Sequence, residues 1–241
     1  MGTLGYKQFT ERHRPHIQPP GANFFVTYRL AGSIPKPIVR QYKAKKEWLT
    51  NEVKRVRRIT LASNSPDMRA WLERVEAFNR EWFVKFEDIL HKAESGPMWM
   101  KNQKVATAVA ESLTSGDGKD YRLDAFSVMS NHVHAILEPF LSEENLFEYF
   151  DTEGNLLFES EYPSLSRIMQ RIKGSSAREC NLLLSRRGQF WEHESFDHFI
   201  RSGKLMRSVR YVLNNPVKAG LVKDWRDWQW TYCRKELIER L

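Results

Sequence analysis

The feature that most constrains the fold is a pair of alternating runs set almost end to end. "YRLDAFSVM" (Tyr121 to Met129) and "HVHAILEP" (His132 to Pro139) are separated only by Ser130 and Asn131. Two such runs joined by a short polar turn make an antiparallel hairpin. Side chains alternate along a strand, so His132, His134, Ile136 and Glu138 share one face of the second run. Val133, Ala135 and Leu137 take the other face, which is wholly apolar and is expected to meet the core. The first face carries two imidazoles that packing does not require.

The rest of the chain frames this hairpin. "NFFVTYRL" (Asn23 to Leu30) reads as an earlier strand, ended by "AGSIPKP". From about 39 to 91 the pattern is helical, first basic and then carrying Trp71, Leu72, Val75, Phe78 and Trp82. Val105, Val109 and Leu113 recur every four residues and mark an amphipathic helix. A second begins near Pro163-Ser164, with Ser164 as its cap and Leu165, Ile168, Met169 and Ile172 turned inward. "QFWEHESFDHF" (Gln189 to Phe199) is a fourth candidate strand, and a third core helix runs from about Lys204 to the Asn215-Pro216 stop. The order approximates βαββαβ, which predicts an α+β, ferredoxin-like (RRM-like) antiparallel sheet with helices packed on one face. On this reading residues 1–241 form a single domain, with 39–91 as a basic helical insertion and 223–241 as a C-terminal tail.

Charge and cysteine content narrow the setting. A formal net charge of +8 favours a polyanionic partner, although a merely soluble basic surface fits the same number. The two cysteines, Cys180 and Cys233, offer neither a CxxC cluster nor a disulfide framework, which fits a reducing compartment. The polar N-terminal stretch does not read as a secretory signal, and no apolar run approaches membrane-spanning length. The expected location is cytoplasmic, with no membrane partner.

On the last core helix, Leu205, Val209 and Val212 point inward, leaving Arg207, Tyr211 and Asn215 stacked at intervals of four on another face. By itself that is an amphipathic tyrosine followed by a helix-end asparagine. Together with the strand histidines it also fits a reaction centre. Two imidazoles supply neutral nitrogen ligands to a divalent cation, and the Asn215 oxygen can complete a half-shell with positions open to substrate. A phenol ionises near pH 10, so Tyr211 as a nucleophile needs an activated electrophile, and a metal-bound phosphate is one. On spacing alone the histidine pair fits equally well as surface residues or as braces for other groups.

"MSNHVHAIL" followed by "YVLNNPVKAGLV" resembles the paired signature of single-tyrosine HUH transposases, specifically the bacterial REP-associated tyrosine transposases. The resemblance extends through "FFVTYRLAGSIP", "GPMWM", "GQFWEHESFDHFIR" and "WRDWQW", covering most of the chain outside the basic insertion. It implies that His132, His134 and Asn215 bind Mg or Mn and that Tyr211 is the nucleophile. The implied substrate is single-stranded or hairpin DNA of the REP type, cleaved to a 5′-phosphotyrosine and a free 3′-OH. Ser130 stands where the family usually has Pro.

Lys173, Arg178, Arg186, Arg187 and Arg210 lie on or beside the elements expected around such a site, and are candidate phosphate contacts. Trp225, Trp228 and Trp230 with Arg226 either stack unpaired bases or cover the core. Two other functions are compatible with parts of the pattern. One is a cupin-type HxHxxxE metalloenzyme using Glu138; the other is a non-catalytic hairpin DNA or RNA binding module. The oligomeric state, monomer or homodimer, is open.

Overall fold

A computed structural model describes residues 21–59, 66–140, 146–150, 156–160 and 165–241. The N-terminal stretch and the Ser164 cap fall outside them. The strands are β1 (Phe24–Arg29), β2 (Tyr121–Val128), β3 (His132–Pro139), β4 (Leu146–Phe150), β5 (Leu156–Ser160), β6 (Phe196–Phe199) and β7 (Thr231–Cys233). The helices are α1 (Lys36–Ile59), α2 (Pro66–Lys92), α3 (Gln103–Thr114), α4 (Leu165–Leu183), α5 (Leu205–Leu213), α6 (Asn215–Lys218) and α7 (Lys235–Ile238). They fall into two compact units, one of residues 21–30 with Trp99–Leu241, the other of Ala31–Met98.

The first unit is an α+β fold on a five-stranded sheet of order β6-β1-β3-β2-β7, with every neighbouring pair antiparallel. Its first four strands have the ferredoxin-like order expected from the βαββαβ reading. Pairing brings the β1 residues Phe24, Val26 and Tyr28 beside Leu137, Ala135 and Val133 of β3. These six form one apolar face, and the inward residues of α3 and α4 cover it in a single core. Leu165, Ile168, Met169 and Ile172 are all buried, as the spacing predicts. Asn102 starts α3 by accepting the Lys104 amide at 3.0 Å.

The opposite face carries Phe25, Thr27, His132, His134 and Ile136, and α5 lies against it. Val209, Val212 and Leu213 are its buried residues, whereas Leu205 at its first turn is only half-buried.

Three features differ from expectation. The fourth strand is only Phe196–Phe199; upstream of it the pairing with the β1 side is reduced to an isolated antiparallel bridge between Trp191 and Leu30, with the Glu192 amide on the Arg29 carbonyl at 2.9 Å. There Trp191 is buried, with its indole N–H on Ser176 Oγ at 3.0 Å, and Phe190 stacks against Trp99. The expected tail contributes β7, which pairs with β2 at Ala125, Phe126 and Ser127. Just before it, Trp228 donates to the Val128 carbonyl at 2.9 Å and Trp230 to Thr107 Oγ1 at 3.2 Å. The two indoles clasp the sheet edge, which is the core-covering role the sequence left open. Finally, β4 and β5 pair as a separate two-stranded hairpin that periodicity did not reveal.

A bulge between Leu123 and Ala125 turns Asp124 out of the ladder. Its buried carboxylate accepts from Asn23 at 2.5 Å and meets Arg122 at 3.3 Å and Arg234 at 3.1 Å. Burial raises its carboxyl pKa, and the two arginines pull against that rise.

The second unit is built on α1 and α2 around Ile34, Tyr42, Leu49, Phe78, Trp82, Phe86 and Leu90. Tyr42 and Phe78 stack with centroids 5.6 Å apart. Phe78 and Trp82 are buried, while Leu72 is exposed. Gly96 sits at φ +79, and a Cβ there would lie 2.8 Å from the Ser33 Cα. Only glycine combines that conformation with that approach. Among the described residues, no helix is long and apolar enough to cross a membrane.

Candidate active site

His132 and His134 lie in the middle of the sheet, paired across to Arg29 and Thr27 of β1. Their Nε2 atoms are 3.0 Å apart, and both rings are buried. A buried imidazole needs partners for both nitrogens, and the other two nitrogens have them. His132 Nδ1 is 2.7 Å from Asn131 Oδ1, and His134 Nδ1 is 2.8 Å from Thr27 Oγ1. Because an amide oxygen only accepts, His132 carries its proton on Nδ1 and presents a lone pair at Nε2. In the neutral pair His134 then donates from Nε2, and the Thr27 hydroxyl donates to Nδ1. A hydroxyl can also accept, so rotation of Thr27 lets His134 hold its proton on Nδ1 and free Nε2 as a second lone pair.

Tyr211 faces this pair from α5. Its ring meets His134 edge to face with centroids 5.9 Å apart, and Phe25 lies 5.7 Å from each of the two rings. The Lys218 ammonium stands 4.3 Å from the Tyr211 ring centroid. Lys218 is seven residues beyond Tyr211, at the end of α6. Asn215 is buried, and its amide nitrogen donates to the carbonyls of Tyr211 at 2.8 Å and Val212 at 3.3 Å. This is the helix-end cap that the sequence also allowed. With the nitrogen committed to α5, the amide oxygen points away from those carbonyls.

The donor chemistry fits a divalent cation. Two adjacent octahedral positions with bonds of about 2.1 Å place their ligand atoms about 3.0 Å apart, which is the separation of the two Nε2 atoms. Each far nitrogen rests on an oxygen, the arrangement that orients ligating histidines. Sequence reasoning missed Asn131, Thr27, Phe25 and Lys218 as parts of this site. Only Lys218 left a signal, its seven-residue spacing from Tyr211.

The other residues singled out from the sequence are placed as follows. Lys173 is turned onto the chain, donating to the Glu192 and His193 carbonyls at 2.6 and 2.9 Å and to Ser195 Oγ at 3.3 Å. Burial, with the Arg29 charge nearby, lowers its pKa to about 8. Arg186 bonds Asn181 Oδ1 at 2.5 Å and the Gln189 carbonyl at 3.1 Å, and lies 3.8 Å over the Trp99 ring. Arg178 and Arg187 are exposed. Arg210 is also exposed, and donates to the carbonyls of Arg240 and Leu241 at 3.2 and 3.0 Å. Glu138 ion-pairs with Arg122. It lies four residues beyond His134 on a strand, roughly 14 Å away along the chain, too far to share an ion with the histidines.

The fold and site thus define an α+β sheet protein with a histidine pair in the sheet and a tyrosine on the helix facing it. No family model matches the sequence, and no curated protein matches it. One solved structure similar to the chain is described as the REP associates tyrosine transposase bound to a REP hairpin. It is 16% identical and covers 92% of this chain and 82% of its own, with a TM-score of 0.43. A score of that size is a remote likeness and does not bear on the chemistry.

Proposed function

We propose that this protein is a divalent-metal-dependent nuclease and strand transferase acting on single-stranded or hairpin DNA through Tyr211. The observation that carries the reading is the approach of the Tyr211 ring to His134, whose Nε2 lies 3.0 Å from that of His132. His132 and His134 hold the cation, Mg or Mn, and the Asn215 oxygen is the third protein ligand. When bound, the ion draws charge from the non-bridging oxygens of a backbone phosphate.

The chain's own residues do the rest. Thr27 and Asn131 hold the imidazoles so that both Nε2 lone pairs point to one place. Phe25 packs against the Tyr211 and His134 rings and fixes their separation. Lys218 places a positive charge beside the phenol that gives up its proton. The Tyr211 oxygen forms a bond to phosphorus as the bond to the 3′-oxygen breaks, and that oxygen takes up a proton. The products are a 5′-phosphotyrosine and a free 3′-OH. Attack by another 3′-OH reverses the step and rejoins DNA without a nucleotide cofactor. Arg178, Arg187 and Arg210 are the exposed cations proposed to meet the DNA backbone. Lys173 and Arg186 act on this reading by holding the loop that leads to β6.

The test is a covalent-adduct gel with hairpin oligonucleotides and Mn. Wild type forms a protein–DNA adduct that survives denaturation; Tyr211→Phe binds the hairpin and forms none. Equal products from both proteins, with no adduct from either, identify a binding module instead.

A further inference from the structure

The positive charge of this chain is concentrated on one helix. Helix α1 holds nine lysines and arginines against two glutamates, a surplus of seven in a chain whose whole formal net charge is +8. Helix α2, its packing partner, holds five against six aspartates and glutamates and is near neutral. The surplus is also ordered. Arg40 and Lys43 follow Lys36 by four and seven residues, and Lys54 follows it by eighteen, five complete turns, so all four fall in one stripe. All four are exposed, while Tyr42 and Leu49 on the opposite side are buried among the aromatics of the unit. Glu47 lies in the same stripe. Among the described residues, no ion pair engages these four cations; the Glu52 carboxylate is taken by Arg55 at 2.6 Å, off the stripe.

Like charges at these spacings repel and cost helix stability, and the fold of the unit does not need them. We infer that the Lys36, Arg40, Lys43 and Lys54 face of α1 is a docking surface for the phosphate backbone of nucleic acid. Charge complementarity names the occupant. The stripe runs for about 27 Å, roughly eight base pairs of duplex, and spreads three lysines and one arginine along a length over which the backbone of a duplex carries regular negative charge. It therefore adds sequence-independent affinity. The inference stands on the helical unit alone and does not depend on chemistry at Tyr211.

The test compares the full chain with a variant carrying Lys36→Gln, Arg40→Gln, Lys43→Gln and Lys54→Gln, using a 20-base-pair duplex of arbitrary sequence as probe (length about 20, chosen to exceed the stripe). Affinity is measured across a salt series, with thermal melting to show that exposed substitutions leave the fold intact. The slope of log affinity against log salt is expected to flatten by about 0.9 for each cation lost, roughly 3.6 in all. Between 50 and 200 mM salt, wild type therefore loses roughly a hundred-fold more affinity than the variant. Replacing the three lysines by arginine instead keeps the wild-type slope. An unchanged slope in the glutamine variant overturns the inference. So does loss of binding to phosphatidylserine vesicles while duplex binding stands, which assigns the face to a lipid surface. Tyr211→Phe keeps the wild-type slope, so failure here is distinct from failure of the adduct assay.

Discussion

The Thr27 hydroxyl and Nδ1 of His134 meet at 2.8 Å across the β1–β3 pair, joining residues 107 positions apart in the chain. A hydroxyl that can donate or accept lets His134 present Nε2 either as a donor to His132 or as a lone pair to a cation. Asn131 holds His132 in the same way from the other side, and the two Nε2 atoms face each other at 3.0 Å.

Thr27→Val keeps the branch at Cβ and removes the hydroxyl. Its expected effect is a 10- to 100-fold loss of Mn affinity, about the size seen when groups behind metal ligands are removed, with the fold retained. Titration of Mn by electron paramagnetic resonance reads this directly. Unchanged affinity would mean that Thr27 does not orient His134.

Lys218→Met removes the ammonium beside the Tyr211 ring and keeps a chain of similar length. Single-turnover adduct formation should slow by roughly tenfold, equivalent to about 1.4 kcal/mol of barrier, while hairpin affinity changes less. A loss confined to affinity would reassign Lys218 to substrate binding.

Lys173 gives a pH signature. Its folded pKa of about 8 lies below the ordinary 10.5, so between the two the unfolded chain holds a proton that the folded chain has released. The cost of the buried charge is fully present below about pH 8 and fades as pH rises towards 10.5, and stability from this position climbs across that window. Tyr121, whose pKa burial raises, works in the opposite direction from about pH 10 upward, so the comparison is made against a Lys173 variant that keeps Tyr121. The difference in urea midpoint between wild type and Lys173→Met should therefore change between pH 8 and 10.5. Parallel profiles would contradict the assignment.

Asp124→Ala leaves Arg122 and Arg234 without the buried carboxylate they share. Arg122 keeps Glu138 and Arg234 keeps Glu236, so the cost should be about 1 to 2 kcal/mol, and the loss should fall on the attachment of β7. Urea denaturation gives the total, and hydrogen exchange at Thr231 to Cys233 should rise first.

The legible parts of this molecule are those that local periodicity fixes. Alternation in "HVHAILEP" placed both imidazoles on one face, and the i, i+4 spacing on α4 gave its buried residues. Tyr211 was singled out by its spacing to Asn215, and its ring lies beside that of His134. What stayed hidden depends on register between distant segments. Thr27 read only as one strand residue until β1 paired with β3, and Asn131 as half of a turn. The strand β7 is three residues long, too short for a period, and its pairing follows from the Trp228 and Trp230 clasp. The expected strand from Gln189 is interrupted rather than continuous: Trp191 bridges Leu30, and the ladder with β1 resumes only at Phe196.

The contact between Gly96 and the Gly32–Ser33 backbone has a topological consequence. The polypeptide leaves for its helical pair and returns from it through neighbouring residues, so the excursion closes on itself like a loop drawn through a clasp. Cutting at that clasp and rejoining the ends with a short turn shortens the chain without rethreading any strand. A change of length within the helical pair therefore leaves the distance between those two ends unaltered.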